Sequence, residues 1–91
     1  MVTITPDAIA KVERFISGAD PMDWFLLITW KRDEWIVDLG GWKPNKVPPD
    51  EGLPLFGDVR VLIQEAFAPA SFPGGEIYAE GNEFKLRAHA I

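Results

Sequence analysis

A chain of 91 residues, 47% hydrophobic and 25% charged, can bury one core and is expected to form a single domain over residues 1–91 rather than a disordered segment. Its net charge of −5, with nine basic residues scattered along the chain, speaks against nucleic acid as a partner, because phosphate binding needs clustered Lys and Arg. The absence of cysteine excludes disulfides, thiol chemistry and any iron–sulfur cluster held on the chain's own thiolates.

Val2-Thr3-Ile4 reads as a short strand or an extended lead-in. Thr5-Pro6-Asp7 then starts a helix: Thr5 can cap an orphan N–H, Pro6 at the first helical position loses no bond, and Asp7 favours the positive end of the dipole. Ile9, Val12, Phe15 and Ile16 recur at helical spacing and predict one buried face. Gly18 is expected to close the helix in the left-handed conformation, and Pro21 prevents its resumption, so the helix runs from Pro6 to about Ser17.

Trp24 to Trp30 is short, aromatic and β-branched, and it predicts a strand that is apolar on both faces at its start. It is also the longest apolar stretch, far below the roughly 20 residues that cross a bilayer. The first residues lack the basic-then-apolar pattern of a secretory signal, so the expectation is no membrane and a cytoplasmic address. Lys31-Arg32-Asp33-Glu34 predicts a tight polar turn, Trp35 to Leu39 the returning strand of a hairpin, and Gly40-Gly41 its break.

Lys43 to Pro54 carries four of the eight prolines and predicts an irregular loop, after which Leu55-Phe56 begins a strand. Gly57-Asp58 marks a turn and Val59 to Ile63 an alternating strand. Gln64 to Phe72 is expected to hold one or two helical turns, stopped by Pro69. Gly75 to Ala79 and Glu83 to Ala88 predict a second hairpin around Glu80-Gly81-Asn82. Ile77, Ala79, Phe84, Leu86 and Ala88 share its buried face, while Glu76, Tyr78 and Glu80 lie outside with Lys85, Arg87 and His89.

Five segments stand out by order and spacing. Ile4-Thr5-Pro6-Asp7-Ala8 opens a helix, and Trp24 to Trp30 is a long first strand. Gly57-Asp58-Val59-Arg60-Val61-Leu62-Ile63 puts a glycine before an alternating strand. Phe72-Pro73-Gly74-Gly75-Glu76-Ile77-Tyr78 leads into the last hairpin, with Ala79 after Tyr78, and Phe84 opens the last strand. Together these segments resemble the HesB-like proteins, the A-type carriers of iron–sulfur cluster assembly, over nearly the whole chain. The resemblance implies a compact α+β fold of two small mixed or antiparallel sheets with packed helices, here the N-terminal helix and one short helix. The chain departs from the family at its thiols. The family has one cysteine in a glycine-rich turn after its first long strand, where this chain has Lys31-Arg32-Asp33-Glu34-Trp35. The family's other two lie in a short C-terminal motif that does not occur up to Ile91. No cluster ligand is carried over, and no cofactor is expected.

Four tryptophans are many for this length. Trp30 and Trp35 flank the first turn as cross-strand neighbours, and with Trp42 they form the candidate binding surface, since Trp is enriched at binding hot spots. The simpler reading of these residues, and still more of Trp24, is a stabilising cross-strand pair and core aromatics. His89 could ligate a metal with Glu76 or Glu80, but one His with carboxylates makes a poor donor set, and a solvated terminal residue is the simpler reading. Asp33-Glu34 and Asp50-Glu51 lie in predicted loops and read as solvated charge. No nucleophile elbow or phosphate-binding glycine loop is present.

The sequence therefore points to a non-catalytic HesB-like accessory or binding protein, leaning away from an enzyme, with another protein or a second copy as partner. Its rivals are a metal-dependent protein using His89 and carboxylates, and a small-ligand carrier with a Trp-lined pocket.

Overall fold

The computed structural model describes residues 1–20, 22–42 and 52–89. In chain order the elements are β1 (Val2–Ile4), α1 (Pro6–Ser17), β2 (Asp23–Lys31), β3 (Glu34–Trp42), β4 (Leu53–Phe56), β5 (Val59–Gln64), β6 (Gly75–Glu80) and β7 (Glu83–Ala88). The predicted loop at Pro44, Pro48 and Pro49 and the carboxylates Asp50-Glu51 lie outside the described residues.

Both sheets are mixed. One has the order β1-β6-β7, with β1 parallel to β6; the other has the order β3-β2-β5-β4, with β2 parallel to β5. One core joins them: Ala8 and Val12 of α1, Leu26 and Ile28 of β2, Val37 of β3, Val59 and Val61 of β5, and Ile77 of β6. The architecture is α+β, with one helix among the described residues.

The helix occupies the predicted span, and the Thr5 hydroxyl accepts from the Ala8 N–H at 3.3 Å. Its termination differs from expectation. Gly18 sits at φ −101°, and α1 ends by tightening: the Gly18 N–H donates to the Phe15 carbonyl and the Ala19 N–H to that of Ile16. The buried line is Ala8–Val12, flanked by Ile16, while Phe15 is 58% exposed. The predicted stripe is therefore rotated, because Ala8 is small enough to bring the helix backbone close to β6.

Gly40-Gly41 does not break β3, which continues to Trp42. The cause lies on the neighbouring strand. Phe25 pairs with Gly40 and Trp24 with Gly41, so aromatic rings cover the backbone that the glycines leave bare. Pro54 also lies within a strand, on the outer edge of its sheet, where the missing N–H interrupts no ladder. The helix expected within Gln64 to Phe72 is absent. The Ala68 N–H donates to the Glu65 carbonyl at 3.1 Å, and the Glu65 carboxylate accepts from the Phe72 N–H, so the segment is pinned as turns. Phe67 projects from it, 92% exposed.

The second hairpin has most of the predicted inner face, with Ile77 paired to Leu86 and Ala79 to Phe84, whereas Ala88, expected to be buried with them, is exposed at the end of the ladder opposite Gly75. Outside, the Arg87 guanidinium donates to Glu76 at 2.9 Å and its cation lies over the Tyr78 ring, 4.5 Å from the centroid. In the four-stranded sheet, Phe25, Leu27, Ile36, Trp42 and Leu62 share the face turned away from the core, and all are half-buried. No helix is long and apolar enough to cross a membrane among the described residues.

Candidate functional site

The structure brings two of the three candidate tryptophans together. Trp30 and Trp35 are partners across β2 and β3, one pair from the turn, and meet edge to face at 5.3 Å. Trp35 also meets Phe72 edge to face at 5.0 Å and packs against the core. Trp42 is elsewhere. It is an odd number of residues from Trp35 on the same strand, which turns it to the opposite face, and its ring stacks on Phe25 at 4.0 Å. Trp30, Trp35 and Trp42 therefore do not form one surface.

His89 is exposed, and its main-chain N–H donates to the Gly74 carbonyl at 2.8 Å. Of its expected carboxylate partners, Glu76 is engaged by Arg87. Among the described residues no three His, Asp or Glu side chains converge as a metal site. Asp33 and Glu34 lie exposed at the first turn.

Trp24, read from the sequence as a core residue, is only half-buried. Part of it packs against the core, and its ring meets Phe15 edge to face at 5.7 Å. The rest lines an open cleft of about 920 Å³ where the end of α1, the start of β2 and the β4–β5 turn converge. Ile16, Met22, Trp24 and Phe56 form an apolar floor over the buried Val59. Glu13, Asp20, Asp23 and Asp58 stand exposed around it, with Arg60 as the one basic lining residue among the described residues.

Local structure explains the placement. Glu13, Ile16 and Ser17 are three and four residues apart and so share one flank of the helix. The β2–β5 register, Phe25 opposite Arg60, sets Asp23 level with Asp58 when carried two residues back. Gly57, at φ +50°, makes the two-residue turn that holds Asp58 at the rim. Among the described residues none of the four carboxylates is in an ion pair. The last turn of α1 also borders the cleft, with its Arg14, Phe15 and Ile16 carbonyls occupied by the Ser17 hydroxyl and by the Gly18 and Ala19 N–H groups. The signals were present in the sequence as acids flanking Trp24 and a Gly-Asp turn, but only the parallel β2–β5 pairing joins them.

A smaller groove of about 590 Å³ lies on the other flank of α1, lined by Lys11, Arg14, Phe15, Leu39 and Phe84 among others. Lys11 crosses it, donating to the Gly81 carbonyl with its ammonium 5.9 Å from the Phe84 ring centroid. Compared with known proteins, the chain matches no family model, no curated protein and no solved structure.

Proposed function

We propose that this chain is a non-catalytic binding domain, a HesB-like accessory protein without the family's cluster-holding thiolates, and that its binding site is the cleft beside Trp24. Two small mixed sheets and a packed, Thr-capped helix agree with the architecture the resemblance implies. The observation that carries the binding role is the cleft itself: an apolar floor of Ile16, Met22, Trp24 and Phe56 open to solvent between three elements. Apolar concavities with a few polar groups at the margin are the usual form of binding sites.

The test is an NMR titration of isotope-labelled protein with blocked peptides of acidic, neutral and basic character. Saturable shifts of the Trp24 indole and of amides in 57–60 support the reading. A panel that leaves those signals unmoved at millimolar concentration sinks it. The scaffold reading has a separate check in anaerobic reconstitution with iron and sulfide, where stoichiometric visible absorbance would refute the loss of cluster binding.

A further inference from the structure

The floor and rim of the cleft together define the chemistry of its occupant. We infer that it is the docking site of a basic amphipathic segment of a partner protein, an extended stretch that sets apolar side chains on Trp24 and Phe56 and places Lys or Arg against Glu13, Asp20, Asp23 and Asp58. This inference rests on the reading of the cleft as the binding site and adds the class of partner.

Charge complementarity selects the occupant. Among the described residues the rim carries four carboxylates against the single guanidinium of Arg60. An acidic partner meets repulsion from these carboxylates. A neutral apolar partner gains the floor but leaves the exposed carboxylates without a counter-charge. A small polycation gains the rim and wastes the floor. Only a chain that is both cationic and apolar satisfies both. The cleft is open to solvent between three elements, which suits a peptide better than an enclosed small molecule. The rim also steers encounter, so association should slow as salt screens it.

The experiment titrates labelled protein with a blocked peptide of alternating Lys and Leu, its counterpart with Glu in place of Lys, and spermine. The Lys/Leu peptide is expected to shift the Trp24 indole and the amides of Asp20, Asp23 and Asp58. The triple variant D20N/D23N/D58N, whose substitutions are all at exposed positions, is expected to weaken it about tenfold. F67A, an uncharged substitution at an exposed position outside the cleft, should leave binding unchanged. Equal affinity of the triple variant, or equal binding of the Glu/Leu peptide, overturns the basic partner while leaving the cleft a binding site. Spermine binding as tightly as the Lys/Leu peptide overturns the amphipathic segment in favour of a simple polycation. Silence of the cleft towards all three probes and towards the wider panel removes the binding site itself.

Discussion

Phe25 lies across the sheet from Gly40 with its ring where a side chain on the glycine would stand: a Cβ there would come within 2.7 Å of the ring's Cζ. The ring is held from its other side by stacking on Trp42 at 4.0 Å. G40V should therefore destabilise the protein by about 1–3 kcal/mol, the usual range for overpacking, despite valine's better strand propensity. In an F25A background the same substitution should stabilise. Urea unfolding of the four proteins checks the change of sign, and equal effects in both backgrounds would refute the contact as its cause.

The first hairpin turns through Arg32 and Asp33, at φ 53° and 64°. Both adopt the left-handed conformation that Asn-Gly accommodates and that costs a side chain about 1 kcal/mol or more. R32N/D33G should raise stability by about 1 kcal/mol, seen as a Tm increase of several degrees. An unchanged or lowered Tm would show that the turn carries no strain.

Trp30 and Trp35, edge to face at 5.3 Å, should give an exciton couplet in far-ultraviolet circular dichroism. Either W30F or W35F should abolish it. W30A should cost about 1 kcal/mol, as a cross-strand pair does, and W35A clearly more, because Trp35 also holds Phe72 and packs on the core. Equal costs would mean that the Phe72 contact contributes nothing.

Ile77 is fully buried and faces α1 from the centre of the smaller sheet. I77A should cost about 2–5 kcal/mol through lost burial and the cavity left behind. Phe67, at 92% exposure, should tolerate F67A with a change below about 0.5 kcal/mol. Chemical denaturation of both variants tests this contrast.

The Lys85 ammonium lies 3.1 Å from Glu83, whose hydrogen bond and negative charge raise its pKa. The folded pKa thus exceeds the unfolded one. The pair's contribution is fully present below the ordinary lysine range and is lost as pH rises through the raised value. Side-chain NMR titration should show Lys85 titrating higher in the folded protein than in denaturant, and E83Q should reduce the difference.

Local chemistry made much of the fold legible. Thr5-Pro6 located the helix, Gly57-Asp58 and Gly81-Asn82 located two turns, and alternation from Ile77 to Leu86 gave the inner face of the last hairpin. Features set by a distant neighbour were hidden. Gly40-Gly41 reads as a break until Trp24 and Phe25 are known to cover it, and Gln64 to Phe72 reads as a helical turn until the Glu65 carboxylate is seen to hold Phe72. The site was hidden for the same reason. Trp30 and Trp35 are close in sequence and were recognisable as a pair, whereas Glu13, Trp24 and Asp58 meet only through a parallel pairing across more than thirty residues.

The pairing of β1 with β6 bears on how the chain is made. Ala8 and Val12 share a core with Ile77, and the Thr5 N–H is satisfied by the Ile77 carbonyl. A nascent chain extended only as far as β5 can rest its helix on β2 and β5 but still lacks the Ile77 side chain between Ala8 and Val12 and the carbonyl that receives the Thr5 N–H, so docking of the helix is completed only after the sixth strand has left the exit tunnel.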